Sequence, residues 1–300
     1  MNDIALITLY CIVDDFIKAL ADTESGRKML ASWNPKRGPQ RRLSLSEVLT
    51  LNILRFHFHI FDLKAFVRLA EGAFKADFPG LPNYENFLKA TNMSFPFTVA
   101  LLGYVLRLGR QAHGGAGVFF MDSTPLSVCQ NWNIKTHRVA AGFASLGKTG
   151  KGWFYGFKLH GACDARGNPV NLCFSPGGDH DGRHAETLTE GLSGLFVGDA
   201  GYLLRGEVLE RLREKHRHIL AAARRNMRRV MSDGQKRLLR KRSVIETVWG
   251  VLKERCGLVF HLARTVTGLF RHYCYCLLSR MLKPVVFPLR LPGPPLALSA

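Results

Sequence analysis

Three acids carry the clearest chemical signal in the chain. Asp122 follows the apolar run Val118–Met121 in VFFMDSTPL, Asp199 follows Leu195-Phe196-Val197-Gly198 in GLFVGDAGY, and Glu246 lies within SVIETVWGVLKERCG. An ionised carboxylate set behind a core strand is costly unless a metal, a cation or several hydrogen bonds compensate it. Taken singly, each acid reads as a strand-end cap or a surface group. Taken together on converging elements, they cannot all ionise cheaply without cations between them. Two Mg²⁺ ions, with Mn²⁺ as the alternative, suit such an all-oxygen donor set. Spaced about 3.5–4 Å apart, two such ions activate a water or a 3′-hydroxyl and stabilise the leaving oxygen of an in-line phosphodiester displacement.

Rival chemistries are weaker. GFASLGKT (Gly142–Thr149) matches the phosphate-loop pattern G-x-x-x-x-G-K-T, but that loop must open a helix whose N-terminus holds phosphates. Here Gly150, Lys151, Gly152 and the aromatic run WFYGFKLH follow, so the segment reads as a flexible Gly- and Lys-rich loop with Lys148 and Lys151 as DNA contacts. Around it, Trp153, Phe154, Tyr155 and Phe157 read as strand core, with base stacking as the alternative. In GGDHDGRH (Gly177–His184), Asp179, His180, Asp181 and His184 offer mixed metal ligands, against a reading of Asp181 as a helix cap and the histidines as loop residues near phosphate. His57 and His59 flank Phe58 on different faces and read as packing or surface residues. Seven cysteines without a C-x-x-C pair argue for free thiols in a reducing cytoplasm.

The elements that must position these groups change in texture near residue 115. Before it the patterns are helical: Ser44 and Glu47 form a capping box, a second helix runs from Asp62 through Phe74, and a third begins at the N-cap Asn83. These read either as a helix-turn-helix or as a plain bundle. After Gly114–Gly117, VFFMDST, the segments 152–164 and 168–177, GLFVGDAGY and HILAAA read as strands. Asp122 is expected to close the first of these and Asp199 the fourth. Helices are expected over about 182–192, through Lys215, and over SVIETVWGVLKERCG, where Val244, Val248, Val251 and Leu252 mark an apolar stripe around Glu246. This order predicts a mixed α/β (α+β) fold, an RNase H-like mixed sheet with flanking helices preceded by an all-α N-terminal region. The expected domains are 1–113 for DNA binding or dimerisation, 114–288 for catalysis, and a disordered tail at 289–300.

Charge identifies the partner. The 300 residues hold 42 Lys and Arg against 23 Asp and Glu, a formal net charge of +19, which points to a polyanion. From Arg205 to Arg242 the count is 14 against 4; Arg224, Arg225, Arg228, Arg229 and Lys241 are the expected phosphate contacts there, with Lys158 on the sheet. No stretch reaches the roughly 20 apolar residues of a membrane span, and the run Ile4–Val13 does not fit a signal peptide. A phosphate-bearing polyanion is thus the expected partner.

MDSTPL, GWFYGFKLH, GDAGY and the RxxxE…K helix resemble the DDE transposases of bacterial insertion sequences, most closely the insertion-sequence 982 family. LYCIVDDFIKAL and LSLSEVLTLNILRFHFHIFDLKAF resemble its leading region, so the likeness covers most of the chain. The resemblance implies a metal-binding triad of Asp122, Asp199 and Glu246, and an enzyme that cleaves element ends and joins their 3′-hydroxyls to target DNA as a homodimer. It also implies that the partner is double-stranded DNA, with no membrane and no small-molecule cofactor, for a cytoplasmic, nucleoid-associated protein. The alternatives are a DNA-binding regulator without catalysis and an RNase H-like nuclease. Related enzymes carry a Tyr-Arg-Glu-Lys signature, matched here by Arg242, Glu246 and Lys253 on one helical face. The Tyr position holds Leu239, so hairpin processing is not implied.

Overall fold

The computed structural model describes residues 3–33, 41–112, 114–150, 152–223, 227 and 230–286. Lys151, Arg224, Arg225, Arg228, Arg229 and the tail at 289–300 lie outside the described residues. Six helices come first: α1 (Asp3–Ala21), α2 (Glu24–Ala31), α3 (Leu45–His57), α4 (Leu63–Ala73), α5 (Tyr84–Met93) and α6 (Phe95–Ala112). Then follow β1 (Ala116–Ser127), β2 (Ser145–Thr149), β3 (Gly152–Cys163), β4 (Pro169–Pro176), α7 (Ala185–Thr189), β5 (Ser193–Gly198), α8 (Glu207–Glu214) and β6 (Arg217–Ala221). The last helices are α9 (Asp233–Lys241), α10 (Ser243–Glu254), α11 (Val266–Met281) and α12 (Lys283–Val286).

The chain divides into two compact units, 1–104 with 255–300, and 105–254. This differs from the linear boundaries expected at 113 and 288, because α11 returns to the helical unit. Its Tyr275 ring stacks on Phe56 of α3 at 5.6 Å, and its His272 meets the same ring edge-on. The helix starts follow local chemistry. Ser44 and Glu47 form the expected capping box, and Asp62 and Asn83 cap α4 and α5. Every residue of α3 from Leu45 to Phe56 is buried except Glu47, the half-buried capping-box residue of its first turn. From Val48 to Phe56 the helix is buried on all sides and offers no face to a DNA groove, so α3 is the centre of a bundle. His57 ends α3, whereas His59 lies beyond it at a positive φ of 58°, which is why the two diverge.

The second unit is built on a six-stranded mixed sheet in the order β2-β3-β1-β5-β6, with β4 also paired to β3. The path β4-β3-β1-β5-β6 has antiparallel pairs at one end and the parallel pairs β1-β5 and β5-β6 at the other. This is the expected RNase H-like arrangement. One face buries Phe119, Met121, Ala162, Val170 and Phe196 with Leu188 of α7 and Leu212 of α8. On the other, Trp249 of α10 packs where β3 carries only Gly161; a Cβ there would lie 2.6 Å from the indole ring. The turn into β4 is held by Asp164, which accepts from the backbone of Arg166 and Asn168.

Two local expectations are corrected. The Gly- and Lys-rich segment is no loop: Ser145–Thr149 forms β2, paired antiparallel to β3 as a hairpin. Lys148 therefore sits in a strand with no helix after it, and the phosphate-loop pattern has no phosphate-binding geometry. In addition, β1 does not end at Asp122 but continues to Ser127, paired to β3.

Candidate active site

Asp122 and Asp199 are brought level by strand register. From Ala116↔Ser193 to Phe120↔Val197, β1 and β5 pair in parallel with a constant offset of 77 residues. The two acids are separated by the same 77 positions, so each stands two residues past the last pair. There β5 ends and β1 runs on, leaving a notch at the sheet edge. Side chains alternate between faces of a strand. Phe119 and Met121 therefore point into the core under α7 and α8, while Phe120 and Asp122 point to the face carrying α10. Asp199 starts a short 3₁₀ turn, Ala200–Tyr202, and its Oδ1 accepts from the Gly201 N–H at 2.8 Å.

Arg242, the residue between α9 and α10, links the third acid to the first. Its Nη2 donates to Glu246 Oε1 at 2.7 Å, and its Nη1 lies 3.4 Å from Asp122 Oδ1. The side chains of Asp122 and Arg242 are largely buried, 18% and 23% exposed. Burial pushes the Asp122 carboxyl up to about 6; the Arg242 charge opposes this, and the Asp199 and Glu246 charges add to it. Glu246 is 54% exposed, which corrects its expected apolar setting. The buried stripe of α10 is Ile245, Val248, Trp249 and Leu252, so Glu246 falls on the helix flank. Lys253 is half-buried on the same helix, one heptad further on.

The expected DNA contacts fall into different places. Lys148 is exposed on β2, its Nζ 5.4 Å from the Trp153 ring centroid. Trp153 is 59% exposed, contrary to its expected core role, whereas Phe154 and Phe157 are buried. Lys241 is exposed at the end of α9. Lys158 is turned inward: at 14% exposure it donates to Asp181 Oδ1 at 3.0 Å and to the Asp179 carbonyl at 2.8 Å.

Sequence reasoning missed the network that Lys158 joins. Asp181 does not cap a helix. His180 holds that position, its Nδ1 accepting from the Gly182 N–H at 3.2 Å. The carboxylate of Asp181 instead accepts from Ser123 Oγ at 3.0 Å. The His160 and His184 ring centroids lie 4.1 Å apart with the rings tilted by 31°, and His184 Nε2 lies 3.4 Å from Asp179 Oδ2. Nearby, the fully buried Tyr202 hydroxyl has no hydrogen-bond partner. Burial holds its proton well above the usual range, reinforced by the charges of Asp181, Asp122 and Asp199. The available signal was the polar density of GGDHDGRH; its partners, Ser123 and Lys158, come from distant segments.

Among the described residues, no three His, Cys, Asp or Glu side chains are gathered as a ready metal cluster, and all seven cysteines are free. No described helix is long and apolar enough to cross a membrane. No curated protein and no solved structure matches the chain. Residues 113–265 match the family model of the transposase DDE domain, a span that contains Asp122, Asp199 and Glu246. As that span covers just over half of the chain, the protein belongs to the DDE-domain transposases.

Proposed function

We propose that this transposase cleaves the ends of an insertion sequence and transfers the freed 3′-hydroxyl strands to target DNA, with Asp122, Asp199 and Glu246 as its catalytic acids. The shared 77-residue offset, which sets Asp122 and Asp199 level at the notch between β1 and β5, carries this reading. Drawn together, three carboxylates from separate elements would form an oxygen donor set suited to Mg²⁺, or to Mn²⁺ in its place. The upward push on the Asp122 carboxyl fits the same view: burial is its main cause, the Asp199 and Glu246 charges add to it, and the Arg242 charge opposes it only in part. When bound there, the metal would lower the pKa of the attacking hydroxyl and stabilise the leaving oxygen.

The remaining work falls to the chain itself. Asp122 and Asp199 would hold the cation from rigid strand positions, and Glu246 would approach it from α10. Arg242, now shared between Asp122 and Glu246, would answer the scissile phosphate's charge, with Lys253 further along the same helix. Lys148 beside the exposed Trp153, and Lys241 on α9, would hold flanking backbone phosphates. Lys151, Arg224, Arg225, Arg228 and Arg229 belong to the same proposal. So do action as a homodimer on DNA, association with the nucleoid, and kinship with the insertion-sequence 982 group.

The test is strand cleavage and joining on DNA carrying the element's own end, with Mg²⁺ or EDTA, for wild type and Asp199→Asn. Metal-dependent products that vanish in the variant while end binding persists are expected. End binding without products from wild type under any divalent metal would make the chain a binding protein. Cutting without joining would favour a nuclease.

A further inference from the structure

Asp181 lies on the far side of the sheet from Asp122. Consecutive residues of a strand face opposite ways, so Ser123 projects through the face away from α10. There its hydroxyl donates to Asp181 Oδ1 at 3.0 Å. The same oxygen takes Lys158 Nζ at 3.0 Å, and Lys158 comes from β3, the other neighbour of β1. The second oxygen, Oδ2, lies against the turn of Asp199. A Cβ built on Gly201 would sit 3.1 Å from Asp181 Oδ2 and 2.9 Å from Asp199 Oδ1. One side chain thus grips the residue next to the first acid and abuts the turn that carries the second.

The surroundings keep that side chain in place. His160 is fully buried; its Nε2 meets Ser175 Oγ at 2.8 Å and its Nδ1 lies 3.7 Å from Asp181 Oδ1. The tilted ring of His184 packs against His160, its centroid 4.1 Å away. A carboxylate this enclosed, with a lysine and a serine on one oxygen, has little freedom to move. The strand end that it holds is the stretch of β1 that no longer has β5 beside it.

We propose that Asp181 is a positioning residue that sets the spacing of Asp122 and Asp199 from beneath the sheet, acting through Ser123 and the Gly201 turn with Lys158 as its counter-charge. The inference rests on the catalytic reading above. Loss of a group that orients metal ligands typically weakens metal affinity by about 10–100-fold. Removing Asp181 outright would strand a buried lysine, so two milder variants serve. Ser123→Ala cuts the link to β1 and leaves the Asp181–Lys158 pair intact; Asp181→Asn keeps the shape and removes the charge.

The experiment is titration of Mn²⁺ alone into the full-length protein, followed by the loss of its free-ion electron paramagnetic resonance signal, with thermal melts and duplex end binding in parallel. Both variants should need roughly tenfold more Mn²⁺ for half-saturation, and Ser123→Ala should melt and bind DNA as wild type does. Wild-type Mn²⁺ affinity in both variants would overturn the positioning role while leaving the catalytic reading intact. Mn²⁺ binding that is absent from wild type, or unchanged in Asp122→Asn, would overturn that reading and this inference with it.

Discussion

Arg242 reaches two carboxylates at once, 2.7 Å from Glu246 and 3.4 Å from Asp122, and under the proposed function a guanidinium in that place would compete with a divalent cation for the same oxygens. Replacing it with glutamine has two opposing effects. It would remove a positive charge from beside the cation's oxygens, worth at least about 1 kcal/mol, the fully water-screened figure for unit charges about 4 Å apart, or at least roughly fivefold in affinity. It also lets the Asp122 carboxyl rise further above about 6, since the Arg242 charge is what opposes burial there. At pH 8 that carboxyl is still ionised, so the first effect prevails; near pH 6 proton competition cancels it. Arg242→Gln should therefore bind Mn²⁺ more tightly than wild type at pH 8, lose that advantage toward pH 6, and cleave DNA more slowly throughout. Weaker Mn²⁺ binding at pH 8 would show that the guanidinium helps to assemble the acids.

At the scale of elements, the placing of α10 depends on one missing side chain. Gly161 is the register partner of Asp122, and an added Cβ would sit 2.6 Å from Trp249. Gly161→Ala must push α10 outward and carry Glu246 with it. Overpacking of this kind costs typically about 1–3 kcal/mol, and strand cleavage should fall by more than the change in melting explains. Gly250→Ala on the same helix meets no atom within 4 Å and should stabilise by up to about 1 kcal/mol with activity kept. Equal losses in both variants would mean that α10 is merely marginal.

Glycines of this kind also mark where sequence reading stopped. The strands bearing Asp122 and Asp199 were legible as apolar runs bounded by glycine, and α3, α4 and α5 by their capping residues. The strand β2 was not, because Gly147 and Lys148 break its apolar pattern, and pairing with β3 supplies its stability. The helix bearing Glu246 was legible, and Val248 and Leu252 of its expected stripe are buried, but Ile245 and Trp249 stand in place of Val244 and Val251, Trp249 filling the space over Gly161. The spacing of 77 was visible as a number; only the β1–β5 register gives it meaning. The link from Ser123 through Asp181 to Lys158 joins three segments that no local pattern connects.

Across the whole molecule, charge and burial act on stability in separate places. Positive charge is shared by both units, with 24 Lys and Arg against 13 Asp and Glu in residues 105–254, and 18 against 10 in the rest. Buried histidines occur in both as well. His160 is lowered by burial and by its neighbour His184. His272, between the rings of Phe56 and Phe61, donates from Nε2 to the Gly257 carbonyl at 2.7 Å. Burial pushes its pKa down from 6.5 to about 4. A histidine of this kind takes up its proton mainly when the chain opens. Its contribution is therefore complete above about 6.5 and is lost as the pH falls toward 4. For His272 the loss between pH 7 and pH 5 is about 2 kcal/mol. His272→Gln, which retains an amide donor for Gly257, should be less stable than wild type at pH 7 but should lose about 2 kcal/mol less on acidification to pH 5. Urea unfolding at the two pH values measures this directly. Parallel losses in the two proteins would mean that the imidazole stays neutral in neither state, or in both, and that His160 and the carboxylates govern the acid limb.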